Sequence, residues 1–224
     1  MCAAFPDAPL CSGCAVLTWA QSEHTFAANT YDGSLGAGAQ RHTPGRPEVL
    51  LTAPNSVNYF RGDYQHKAAR WTGSAVEALA LTTGMSSLAM AGPPRQVPYR
   101  DNPEYAFTDR LRALVTPKTF VLDVIGMRDR QVDVCLGLGP MPDQRSQAVA
   151  ARIERGFASR GIRVATNTPF PALAPVTVTS YSQVHLEASA LQVALGAWLR
   201  DPDGSPTMAK LVLDVLRDAL GEVT

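Results

Sequence analysis

The feature that most restricts what this chain can become is a change of pattern at residue 48, after which short buried-strand runs alternate with helical stripes to the end of the sequence. Val49, Leu50, Leu51 and Thr52 form an apolar, β-branched run closed by Pro54, the pattern of a strand covered on both faces. Thr72 then precedes Val76, Leu79 and Ala80 at helical spacing, and Gly84 supplies a C-terminal stop. Ser87 to Ala91 reads as a strand and Pro103 to Val115 as a helix with Phe107, Leu111 and Leu114 on one stripe. Thr119 to Val124 reads as a buried strand expected to pair with the next, Val132 to Leu136. Ser146 is expected to cap a helix carrying Val149, Ile153 and Phe157. Strands follow at Ile162 to Ala165, Val176 to Ser180 and Ala190 to Leu195, and Ser205 with Pro206 opens a closing helix. This alternation predicts an α/β fold, a three-layer α/β/α domain with a mixed, largely parallel central sheet, rather than a bundle or sandwich.

Residues 1–47 differ: Gly, Pro, Ser and Thr are frequent and apolar runs are short, so the expectation is a peripheral segment packed on a core formed by residues 48–224. Within it Ala15 to Ala20 and His24 to Ala28 are expected to pair as two short strands. Across 224 residues, 46% are apolar and 18% charged, which suits one packed domain. Lys plus Arg and Asp plus Glu balance at 20 each, so no net field draws the chain to nucleic acid or to anionic lipid. No run approaches the roughly 20 apolar residues that span a bilayer, and the N-terminus lacks the basic and apolar regions of a secretory signal. A cytoplasmic location is expected, with no nucleic-acid or membrane partner. The four cysteines, Cys2, Cys11, Cys14 and Cys135, are too few for a disulfide scaffold and are expected to be reduced.

In open α/β sheets, sites form beyond the carboxyl ends of strands, which directs attention to Pro54-Asn55, to Asp123 through Arg128, and to the stretch after Val193. Asp123 is a carboxylate in a strand otherwise made of Phe120, Val121, Leu122 and Val124, so it needs a partner, such as Arg128 or Arg130, or a purpose. His66 and His185 fall in loops, neither at ligand spacing with a second donor, and read as solvated or hydrogen-bonded histidines. Cys11-Ser12-Gly13-Cys14 is a CxxC, and Cys2 and His24 are near enough in sequence to complete a zinc or redox module, but only half of the usual signature is present. Cys135 reads as a small core residue. Gly137 and Gly139 lead into Pro140 rather than into a helix, so no phosphate-cradling loop is present.

The order Pro54-Asn55, then Lys67-Ala68-Ala69-Arg70-Trp71-Thr72-Gly73, then Asp123-Val124-Ile125-Gly126-Met127-Arg128-Asp129, then Leu191-Gln192-Val193-Ala194 resembles the N-formylglutamate amidohydrolase family, whose fold is zinc carboxypeptidase-like. In that family the first block reads Pro-His, the second carries an acidic residue shortly before Thr-Gly, the third reads Asp-x-His-Gly, and the fourth ends in a glutamate. The resemblance implies that the two histidines and the first acid hold zinc and that the last glutamate is the general base. Those positions here hold Asn55, Ala69, Ile125 and Ala194, so neither a zinc ion nor any other cofactor is expected. Zinc needs N, O or S donors in near-tetrahedral array, and Ala and Ile offer none. Without the metal the site lacks its Lewis acid, and without the glutamate its proton shuttle.

The expectation is therefore a pseudoenzyme, either binding a small amide or peptide ligand or serving as an accessory subunit to a partner protein. Its pocket would include Asn55, His66, Thr72, Ile125, His185 and Ala194. The alternative is a repurposed, metal-independent amide- or peptide-processing enzyme, with Asp123 as acid or base and Arg128 orienting a carboxylate.

Overall fold

In the computed structural model, which describes residues 12–61, 64–92, 106–128 and 132–221, the run around Val49–Thr52 becomes β2 (Arg46–Ala53) near the middle of a seven-stranded sheet. The other strands are β1 (Gln40–Thr43), β5 (Met85–Met90), β6 (Phe120–Gly126), β7 (Val134–Gly137), β8 (Val164–Thr166) and β9 (Ser189–Leu195). Their order is β1-β5-β2-β6-β9-β7-β8. The β5-β2-β6-β9 block is parallel, as is β7-β8, while β1 runs antiparallel to β5 and β7 antiparallel to β9. A separate hairpin joins β3 (Tyr59–Arg61) and β4 (Tyr64–His66).

Helices α1 (Ser12–Tyr31), α2 (Thr72–Thr83), α4 (Gln144–Ala158) and α6 (Pro206–Leu220) pack against one another over one face. The other face carries α3 (Ala106–Leu114) and α5 (Val178–His185), where the Arg112 guanidinium lies 5.6 Å from the centre of the Tyr181 ring. The architecture is thus the expected three-layer α/β/α arrangement on a mixed, mostly parallel sheet. Beyond the exposed start of β2, the central strands are buried at nearly every position, with Leu51, Leu122, Leu191 and Val193 wholly inaccessible to solvent, which is why they read as apolar runs. Gly84 ends α2 in the left-handed region, φ 68°, as a C-terminal glycine does. Ser205 and Pro206 open α6 as expected.

Several elements differ from the sequence reading. The N-terminal strands at Ala15–Ala20 and His24–Ala28 are instead the body of α1. Ala15, Trp19, Glu23 and Phe26 are buried along it, a spacing of a helical stripe that short apolar runs concealed. Trp19 and Phe26 join the same core as the sheet, and β1 forms its edge. The expected pairing of β6 with β7 does not occur, because β9 lies between them and is hydrogen-bonded along β6 from Phe120↔Ser189 to Gly126↔Leu195. A fully buried strand such as β9 needs a ladder on both edges. The strand expected at Val176–Ser180 is the start of α5: Thr177 caps it, its hydroxyl accepting from Ser180 N–H at 3.2 Å. The cap of α4 is Asp143 rather than Ser146, which sits three residues in and completes a reciprocal capping box.

Cys14 is disulfide-bonded, contrary to the expectation of reduced thiols, since a cysteine count over a whole chain does not decide whether one thiol finds a partner. Cys2 and Cys11 lie outside the described residues, as does Pro103 at the start of the expected third helix. Cys135 is free and buried. No helix among the described residues is long and apolar enough to cross a membrane.

Candidate functional site

Strand register builds the site. Thr52 of β2 is paired with Asp123 of β6, and Asp123 with Gln192 of β9, so three polar side chains stand in one row on one face of the parallel block. The Gln192 amide Nε2 donates to one Asp123 carboxylate oxygen at 2.9 Å, and the Thr52 hydroxyl donates to the other at 3.3 Å. Asp123 is 1% exposed. Burial pushes its carboxyl up from the ordinary 3.8 to about 6, against the lowering pull of those two hydrogen bonds.

Above this row is a cavity of about 300 Å³. Asp123 and Gln192 form its floor, Pro54 and Asn55 come from the end of β2, Ile125 and Gly126 from the end of β6, and Tyr59 from the β3–β4 hairpin. The segment Phe170–Ala174, with Val176 to Val178 at the head of α5, closes the remaining side. That segment descends onto the sheet because position 137, the next in the row beside Gln192, is glycine. A Cβ there would stand 2.6 Å from the Phe170 carbonyl oxygen and 2.9 Å from the Ala172 methyl. The lining is mixed, with one buried carboxylate, two amide side chains and a largely apolar roof, as in small-molecule sites generally.

Of the residues singled out in the sequence, Asn55, Asp123 and Ile125 line this cavity together. Ala194 is paired with Ile125 and wholly buried in a small apolar cluster with Met127 and Cys135, against which Phe170 packs. Thr72 is also buried, its hydroxyl donating to the Ala69 carbonyl at 2.6 Å at the start of α2. His66 stacks on Tyr59, ring centres 5.2 Å apart, and faces a second cavity. His185 ends α5 against the Tyr181 ring, and Arg128 is exposed just beyond β6. None of these last five lines the Asp123 cavity.

Sequence reasoning missed Thr52, Gln192, Tyr59 and the roof. It also missed Arg200, whose guanidinium is buried beside the end of β6: a Cβ at Gly126 would stand 2.7 Å from the guanidinium carbon and 2.9 Å from the Ala69 methyl. Arg200 donates to the main-chain carbonyls of Leu195 at 3.2 Å and Met127 at 3.4 Å, and to that of Arg70. Ala69 in turn is tied to Asn55, its N–H donating to the Asn55 carbonyl at 2.7 Å. The three positions that the family resemblance assigns to metal donors thus carry an amide, a methyl and a butyl group, and the general-base position carries the Ala194 methyl; the guanidinium of Arg200 lies near Ala69 at Gly126. No group of three or more His, Cys, Asp or Glu side chains among the described residues is placed to hold a metal ion. The residues present do not fit a zinc centre.

Comparison with solved structures places the fold. A bacteriophage poly-γ-glutamate hydrolase is 12% identical over 84% of this chain and 91% of its own, with a TM-score of 0.55. N-formylglutamate amidohydrolase from Ralstonia eutropha JMP134 is 12% identical over 81% of this chain and 97% of its own, with a TM-score of 0.51. A gene product of Agrobacterium tumefaciens is 11% identical over 83% and 95%, with a TM-score of 0.55. No family model and no curated protein sequence matches. At these identities the likeness is one of fold, and that fold is the one expected from the sequence blocks.

Proposed function

We propose that this domain is a pseudoenzyme on an amidohydrolase fold, holding a small amide or peptide ligand in the Asp123 cavity without hydrolysing it. One observation carries the reading: where the fold's strand ends converge, Asn55 and Ile125 line the cavity, and Ala69 lies with the Arg200 guanidinium against Gly126. A dication brought to this cavity would find one carboxylate, Asp123, and no imidazole or thiolate among the lining side chains, whereas a zinc centre needs three or four such donors in near-tetrahedral array. The cavity retains the means to recognise an amide. The Asp123 carboxylate accepts an N–H, and the Asn55 side chain offers both a donor and an acceptor. Two solved structures of this fold are named for enzymes of poly-γ-glutamate and N-formylglutamate, so short glutamyl amides are the first ligands to try.

Calorimetric titration with zinc at neutral pH tests the reading, and no saturable binding is expected. Stoichiometric binding with submicromolar affinity, abolished by Asn55→Ala, would sink it. In parallel, glutamyl amides are expected to raise the thermal midpoint of the native chain and not that of Asp123→Asn.

A second reading has a specific observation in its favour. A carboxyl held near pH 6 at the floor of a cavity suits general acid or base work, so Asp123 would serve a metal-independent hydrolase, cyclase or transferase, with Arg128 orienting a substrate carboxylate from outside. Product formation from a glutamyl amide that survives chelation and is lost in both Asp123→Asn and Arg128→Ala is the outcome that would favour this reading over the first.

A further inference from the structure

On the far side of the Tyr59–His66 stack lies a second cavity, of about 230 Å³, whose walls include Tyr31, Asn58, His66, Lys67 and Arg70. Two of its nitrogen-bearing side chains are held on aromatic faces. The Arg70 guanidinium carbon lies 5.0 Å from the centre of the Tyr31 ring, and the His66 imidazole is stacked on Tyr59 at an interplanar angle of 15°. Stacking fixes a guanidinium while leaving its edge N–H groups available. Among the described residues, neither Lys67 nor Arg70 is ion-paired to a carboxylate or donates a side-chain hydrogen bond. By contrast, Arg41, Arg163 and Arg217 are each salt-bridged.

The wall under Arg70 is built at a cost. Asn29, Thr30 and Tyr31 occupy the left-handed region in succession, at φ 54°, 60° and 67°, a conformation that is strained for residues other than glycine. Thr30 is β-branched, for which this conformation is a true outlier. Asn58 pins the turn in place: its side-chain amide donates to the Thr30 carbonyl at 2.8 Å and to Asp32 Oδ1 at 3.0 Å, and its own carbonyl oxygen accepts from Ala68 N–H at 3.0 Å. The Tyr31 hydroxyl is anchored on the buried Glu23 carboxylate at 2.9 Å. The strained turn and the segment bearing Lys67 and Arg70 are thereby stitched into one rigid rim.

We propose that this rim is an oxyanion site, taking a carboxylate or phosphate group between Lys67 and Arg70, with His66 as an adjoining donor. A guanidinium over the Tyr31 ring and an ammonium lining the same cavity are complementary to such a group. The site is separate from the Asp123 cavity and does not depend on what that cavity binds.

The test is titration of the full chain with sodium phosphate and, separately, with sodium glutarate, at an ionic strength held constant with sodium chloride. Binding is followed by calorimetry and by the His66 ring-proton resonances. Saturable 1:1 binding that moves the His66 signals is expected for at least one of the two, and the tighter of them identifies the oxyanion as phosphate or carboxylate. Arg70→Gln and Lys67→Gln should each weaken it by tenfold or more with an unchanged far-ultraviolet circular dichroism spectrum. Both side chains are exposed, so each variant is expected to fold. The proposal is overturned if neither anion binds saturably, if chloride alone reproduces the response, or if both variants bind like the native chain.

Discussion

Replacing Asp123 by Asn isolates the cost of keeping a carboxylate at the floor of the cavity. Asn is nearly isosteric and can keep both contacts, its oxygen accepting from Gln192 and its NH₂ donating to the Thr52 hydroxyl, which already reaches the Leu122 carbonyl at 3.5 Å. Burial raises the Asp123 carboxyl from 3.8 to about 6, so the folded chain holds this proton more tightly than the unfolded chain does. The resulting stabilisation is full below about pH 3.8 and is lost as pH rises through about 6. At about 1.4 kcal/mol for each tenfold change in proton affinity, the ionised group costs the folded state on the order of 3 kcal/mol at neutral pH. Asn does not titrate. Urea unfolding of both proteins from pH 4 to pH 8 should therefore show the stability difference moving in favour of Asp123→Asn by about 2.5 kcal/mol, mostly between pH 4 and pH 6.5. Glu77, raised to about 7 by burial, and Glu23, also raised, add slopes of their own, but these are common to both proteins and cancel in the difference. A difference that stays flat across this range, or that moves in favour of the native chain as pH rises, would refute the assignment of Asp123 as a desolvated carboxyl.

Trp19→Ala removes a wholly buried side chain and the 2.9 Å hydrogen bond from its indole N–H to the Trp71 carbonyl; urea unfolding should report a loss of about 3–5 kcal/mol, whereas a loss below 1 kcal/mol would mean that α1 is not part of the core. Gly137→Ala pushes a methyl into the Phe170 carbonyl and Ala172, so it should cost about 1–3 kcal/mol and weaken any ligand of the Asp123 cavity by lifting its roof, which calorimetry with the best glutamyl amide would detect.

What the sequence disclosed depended on whether the signal was local. The central strands β2, β6 and β9 were readable because strands buried on both faces are written as continuous apolar runs, and Asp123 stood out because it interrupts one. Asn55 and Ile125 followed as the ends of those strands. Thr52 and Gln192 were not chosen, although both are polar residues in buried strands, because their meeting with Asp123 depends on register between segments 71 and 69 residues away. Strand order failed for a related reason: β7 follows β6 in sequence, yet β9 arrives later and takes the place between them. The roof at Phe170–Ala174 has no periodicity to read. Arg200 carries no local signal in the sequence, and only the folded chain brings its guanidinium beside Gly126.

The row Thr52–Asp123–Gln192 also bears on what the cavity can hold. A residue retained only for folding has little reason to be a carboxylate here, where ionisation lowers stability at neutral pH. The two donors that contact Asp123 lower its proton affinity without restoring it to the ordinary range, so the scaffold compensates the charge only in part. Incomplete compensation leaves the carboxylate with unused acceptor capacity facing a cavity, and a ligand N–H placed there gains more than it would against a fully satisfied group. A domain that had lost its chemistry and kept only its shape would be expected to relax this row toward apolar residues, as Ala69, Ile125 and Ala194 stand apolar beside it. That the carboxylate is present among them is the physical reason to look for a ligand at Asp123 rather than to regard the cavity as a remnant.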